Sequence, residues 1–173
     1  MARVPYLDEA ARPDLKPLID RIKAERGGRL FNLYKILLHS PTVAEGWLHL
    51  FTAIRQRSTL PGRYRELAIL EIALLNGADY EYTQHIPFAL KEGITREQIA
   101  DLKDWRSSQR FDAADRAVMA YAGSMTREIH VPDEVFAQVR ACFADRELVE
   151  LTATIAGYNL VSRFLEAMAI DPE

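Results

Sequence analysis

The stretch GRYRELAILEIALLNGADYEYTQHIPFALKEG, Gly62 to Gly93, decides how the rest of the chain is read. Leu67 to Leu75 is apolar at almost every position, so a helix there is apolar on nearly all sides and must be buried. Glu66 and Glu71 interrupt that helix, and a buried carboxyl needs a partner or a cleft. Asn76-Gly77 is a strong turn pair, and a second helix beyond it, with Asp79 as its expected cap, sets Glu81 and His85 four residues apart on one face. Pro87 lies inside this second helix, where its missing amide hydrogen predicts a kink beside His85.

Outward from this pair the pattern stays helical. Leu7, Leu15, Leu18, Ile19 and Ile22 recur at helical spacing around Pro13, and Gly27-Gly28 stops the run. Leu30 to Leu38 is short and apolar without strand-like alternation. Ser40 before Pro41 reads as an N-cap for a helix to about Arg57, with Val43, Trp47, Leu48, Phe51 and Ile54 inward. Thr95 and Gln98 form a capping-box signature. The polar stretch Lys103 to Arg110 reads as an exposed loop, and Asp112 caps a helix through about Arg127 with Ala113, Ala117, Val118, Tyr121 and Ala122 inward. Pro132 opens a helix holding Val135, Phe136, Val139 and Cys142, and Asp145 caps a final long one to about Ile170. The expectation is an all-α fold of about seven to nine helices, one domain over residues 1–173.

With 173 residues, about half of them apolar, the chain can bury a real core. A net charge of -3 without a Lys/Arg run excludes the electrostatic footprint of a nucleic-acid or anionic-membrane partner. No apolar segment after Met1 suggests a signal peptide, and none is long enough to span a bilayer, so a cytoplasmic location is expected. A single cysteine, Cys142, rules out an intramolecular disulfide and a thiolate cluster within one chain. Its apolar neighbours at helical spacing predict a buried, inert thiol.

Glu81 beside His85 raises the imidazole pKa and fixes its tautomer, giving a proton-transfer pair to which Glu66 would add a third member. The plain alternative is a solvated helical pair of small energetic weight. Tyr80 and Tyr82 flank the acidic position and line a pocket or pack. His39 and His49 read as packing histidines, and His130 as exposed. Asn159 and Arg163, four apart in the last apolar helix, need partners. A metal site is not expected, because Glu-x-x-x-His occurs once and lacks the repeated Glu-x-x-His of two-helix carboxylate sites.

The run from Arg65 to Gly93 resembles the signature region of the carboxymuconolactone decarboxylase family, which includes alkylhydroperoxidase D. In the peroxidase branch a glutamate is followed, after eleven residues, by Cys-x-x-Cys-x-x-x-His. Here the glutamate is Glu66, the cysteine positions hold Ala78 and Glu81, and the histidine is His85. Thiol peroxidase chemistry needs an attacking thiolate and a resolving partner, so that branch's reaction is not expected even where the family's peroxiredoxin label is attached. The decarboxylase branch resembles the chain more. It implies an alkylhydroperoxidase D-like helical bundle and a cofactor-independent lyase acting on a small carboxylated or lactone metabolite. By the same resemblance His85 is the proton donor or shuttle, and Glu66 and Glu81 orient it or handle a second proton. Arg63 or Arg65 holds a substrate carboxylate, with Tyr80 nearby, and the protein forms a homo-oligomer of trimer, dimer or hexamer type. The competing class is a family member without the thiol pair that serves as a small-ligand-binding protein or an oligomeric scaffold.

Overall fold

Helical spacing of apolar residues with no period-two runs leaves helix packing as the way to bury them. The computed structural model, which describes residues 1–173, accordingly has nine α-helices and no strand. Its contacts fall into two compact units, one of residues Met1–Arg57 with Leu165–Glu173 and one of Ser58–Phe164.

In the first unit, 3₁₀ turns at Glu9–Ala11 and Pro13–Leu15 lead into α1, Lys16–Glu25. Pro13 thus opens a tighter turn rather than the α-helix itself. The left-handed Gly27 and Gly28 stop α1, and α2, Asn32–Leu37, precedes α3, Pro41–Thr52, which continues as a π-type turn through Arg57. Ser40 takes the extended N-cap backbone, yet its side chain makes no capping hydrogen bond; Pro41 starts the helix by fixing its own φ. Ile19, Ile22, Leu38, Leu48 and Phe51 are buried, whereas Val43 is half exposed at the first turn of α3. The chain ends join here: the Tyr6 hydroxyl donates to Asp171 Oδ2 at 2.9 Å and the Arg3 amide donates to the Met168 carbonyl at 2.9 Å. His39 and His49 are exposed rather than packed, and His39 Nε2 lies 2.8 Å from the Pro5 carbonyl oxygen.

The second unit is built on α4, Gly62–Asn76, with every residue from Glu66 to Ala73 buried. Gly77 ends it at φ 65°, a left-handed conformation that suits glycine, and α5, Asp79–Lys91, returns against α4 and runs on through Pro87. Asp79 is the first residue of α5 and not its cap; Ala78 holds that position, and Asp79 and Glu81 face the positive end of the helix. The Thr95–Gln98 capping box is present at α6, Arg96–Asp101. A 3₁₀ turn then takes up Leu102–Asp104, and Trp105 is buried, so the expected exposed loop is anchored by an indole. Asp112 caps α7, Ala113–Arg127, by accepting from the Asp115 amide; Ala113 faces out, and Asp115 is buried instead.

Pro132 precedes α8, Asp133–Cys142, which buries only Val139. Cys142 at its last position is exposed, so the buried-thiol reading fails: the helix is too shallowly docked to cover its final turn. The last helix, α9, is Asp145–Met168, of which residues 145–164 belong to this unit. Glu150 on α9 ties down the segment before α4, taking donors from Ser58, Thr59 and Leu60 on one oxygen at 2.8–2.9 Å. No helix is long and apolar enough to cross a membrane.

Candidate functional site

Glu66 and Ala73 lie two turns apart on one side of α4, and the tight reversal at Gly77 folds α5 back alongside. That reversal brings together two residues nineteen apart in sequence: Glu66 Oε2 and His85 Nδ1 stand 2.7 Å apart, both buried. Arg65 Nε donates to the other oxygen, Oε1, at 3.1 Å. Burial alone would push the Glu66 carboxyl up, but the charges and hydrogen bonds of His85 and Arg65 outweigh it and hold the group below the ordinary glutamate range. An ionised carboxylate only accepts, so the proton in this bond belongs to His85 Nδ1. The tautomer is thereby assigned, and Nε2 becomes the nitrogen through which the ring exchanges protons. Two aromatic rings frame the imidazole: Tyr158 of α9 stands edge-on with centroids 5.1 Å apart, and Phe88 is tilted at 5.7 Å.

Glu81, one turn before His85 on α5, is also buried and accepts from Ser162 Oγ of α9 at 3.0 Å. The same hydroxyl lies 3.0 Å from the Tyr158 carbonyl oxygen. One hydroxyl proton serves two acceptors here. If Glu81 carries a proton, it donates to Ser162, which donates to the carbonyl; if Glu81 is ionised, the serine turns toward it. The arrangement therefore accommodates either protonation state without leaving that oxygen unsatisfied. Ser162 and Tyr158 are themselves one turn apart, so α9 offers a matched pair to the Glu81–His85 pair of α5.

The other expected site residues are placed as follows. Arg65 adjoins Glu66 and also reaches Glu92 at 3.6 Å. Arg63 points away into a two-pronged pair with Asp115 of α7, at 2.9 and 2.7 Å, and donates to the Gly93 carbonyl at 3.0 Å. It clamps α4 to α7, leaving Arg65 as the arginine at the site. Tyr80 is buried one residue before Glu81, about 100° around the helix from it. Ala78 is fully buried at the N-cap of α5, where the peroxidase branch has its first cysteine.

Ser162 and Tyr158 were not singled out from the sequence. The available signal was a pair of hydrogen-bonding side chains four apart in an otherwise apolar helix, the same signal carried by Asn159 and Arg163 one residue further on. Those two lie on another face. Asn159 Nδ2 donates to Thr126 Oγ1 at 2.9 Å, and Asn159 Oδ1 accepts from Asn76 at 3.2 Å and Arg163 at 2.7 Å.

These features define an all-α protein with a buried carboxylate–imidazole pair bridging two consecutive helices, α4 and α5. Residues 41–123, which contain the whole of that pair, match the carboxymuconolactone decarboxylase family, and the chain carries a single cysteine, Cys142, outside that region. It is 25% identical to the uncharacterised protein YdfG of Bacillus subtilis (strain 168) over 115 residues, 65% of this chain and 78% of that protein. Among solved structures, the debrominase Bmp8 superposes with a TM-score of 0.83 at 20% identity, over 99% of this chain and 92% of that one. An alkylhydroperoxidase AhpD core protein, peroxidase-related, from Ralstonia eutropha JMP134 superposes with a TM-score of 0.81 at 20% identity, over 99% and 92% of the two chains. At these identities the likeness is one of fold.

Proposed function

We propose that this chain is a cofactor-independent acid/base enzyme of the decarboxylase type, acting on a small carboxylated or lactone-type metabolite. The observation that carries the reading is the buried 2.7 Å bond between Glu66 and His85, with the carboxylate held ionised. A carboxylate in that position stabilises imidazolium over imidazole and aims the ring, the arrangement a general acid needs.

In the proposed reaction Arg65 pairs with a substrate carboxylate, since a guanidinium offers more donors than its contacts with Glu66 and Glu92 use. The bond between the leaving carboxylate carbon and its neighbour breaks, carbon dioxide departs, and the electron pair stays on the substrate as a dienolate or carbanion. His85 Nε2–H delivers a proton to that carbon, and the neutral ring regains one from water. Glu81, with Ser162 as relay, handles a second proton, and Tyr80 borders the space beside it. The thiol-dependent reaction is disfavoured: the single cysteine sits exposed at the end of α8, and Ala78 and Glu81 fill the family's sulfur positions.

A homo-oligomer and a cytoplasmic location belong to the same proposal. Val149 and Leu160 of α9, 68% and 47% exposed, leave apolar area for a second copy, which light scattering on the purified protein tests. For the activity, a panel of lactone acids and β-keto acids is assayed by direct detection of carbon dioxide. Release above the uncatalysed rate from at least one acid supports the reading. No release from any, with intact helical circular dichroism, favours the ligand-binding or scaffold alternative.

A further inference from the structure

Glu71 is the second carboxyl in the apolar run of α4, and the proton-transfer site does not use it. Five residues past Glu66, it points about 140° around the helix from it. There it borders a cavity of about 210 Å³, the room of about seven water molecules. Leu74, Leu75 and Leu102 supply an apolar wall, and the Trp105 indole donates to Glu71 Oε1 at 3.3 Å. The residue is only 3% exposed, and the hydrogen bond from Trp105 falls on Oε1, so its carboxyl lies buried at the edge of the cavity.

The remaining lining is cationic. Lys103, Arg106 and Arg127 edge the cavity, and none of them forms an ion pair with a carboxylate. The Arg106 guanidinium carbon stands over the Trp105 ring, 4.2 Å from its centroid, a cation–π contact that holds the guanidinium at the rim. Arg127 and Glu71 approach across Gly123: a side-chain carbon there would stand 3.7 Å from Glu71 Oε1 and 3.8 Å from an Arg127 guanidinium nitrogen. Burial pushes the Glu71 carboxyl up, partly offset by Trp105, Arg127 and Arg106, in the direction of the neutral form that can donate.

We propose that this cavity is a second binding site, for a small organic monocarboxylate with an apolar body, held by Arg106 and Arg127 at its charged end and by the leucines and Trp105 along its body. Glu71 supplies a hydrogen bond to the carboxylate. The site is separate from Glu66 and His85 and stands whatever reaction they perform.

Benzoate is a suitable probe, with benzamide as its uncharged counterpart. The chain has two tryptophans, so a Trp47→Phe background leaves Trp105 as the sole indole reporter. Benzoate is expected to change Trp105 emission saturably, and benzamide to bind about tenfold more weakly or worse. Arg127→Gln and Arg106→Gln, both at exposed positions where folding is not at stake, should each weaken benzoate by about tenfold. Gly123→Leu should block it, and His85→Ala should leave it unchanged. Absence of saturable binding overturns the proposal, as do equal affinities for benzoate and benzamide, indifference to both arginine substitutions, or loss of binding in His85→Ala.

Discussion

Arg63 and Asp115 form an ion pair with one half fully buried and the other partly exposed, and that difference makes a quantitative prediction. Asp115 is 1% exposed and bonds both carboxylate oxygens to Arg63, whereas Arg63 is 26% exposed and keeps a further bond to the Gly93 carbonyl. Removing Arg63 strands a buried charge, which costs about 3–5 kcal/mol. Removing Asp115 costs less, because the freed guanidinium reaches water and retains Gly93; lost charged hydrogen bonds worth about 1.5–3 kcal/mol set the upper limit. Arg63→Ala should therefore destabilise by about twice as much as Asp115→Ala. At about 2–4 °C per kcal/mol for a chain of this size, the Arg63 variant melts about 10 °C low. Urea unfolding followed by circular dichroism at 222 nm reads both, with the slope checked for constancy. Equal losses, or a larger loss for Asp115→Ala, would refute the reasoning. A near-neutral Arg63→Ala with impaired substrate binding would return Arg63 to the site.

Three further outcomes follow from single contacts. Slight burial pushes the Glu150 carboxyl up, but hydrogen bonds from Thr59, Ser58, Arg146 and Leu60 bring it down to about 2. A group depressed on folding stabilises above its unfolded value and loses that contribution as pH falls from about 4.5 to about 2; Glu150→Gln should flatten the acid limb of urea midpoints in that window. Ser162→Ala removes a partner of buried Glu81, and should cost about 1–3 kcal/mol in urea unfolding and lower turnover in the carbon dioxide assay. Gly77→Ala forces a side chain into a left-handed turn at φ 65° and should destabilise by about 1 kcal/mol, read as a lower melting temperature.

The fold was legible because its signals are local. The run from Leu67 to Leu75, the Asn76-Gly77 turn, the Thr95–Gln98 box and the Asp112 cap each declare a helix or its end within a few residues, and all are present. Glu66 and His85 were legible as a pair because the hairpin between them is short. What sequence spacing does not carry is which face of a helix meets a partner far along the chain. Ser162 reaches Glu81 across 81 residues, and Asp115 takes Arg63 across 52, so Arg63, one of the two arginines expected as a substrate anchor, is paired with α7. Cys142 fails for a related reason: apolar neighbours at helical spacing imply burial only if the helix docks deeply, and α8 does not. Glu71 was recognisable as misplaced in an apolar helix, but the cavity beside it depends on Trp105 and Arg127, from segments further along the chain.

The central claim, that Glu66 and His85 form a proton-transfer centre, is tested most directly by the turnover of His85→Ala on an acid that the wild-type protein decarboxylates. Release of carbon dioxide is expected to fall by at least about 10²-fold while the helical circular dichroism is retained. An unchanged rate in a folded His85→Ala protein would contradict it.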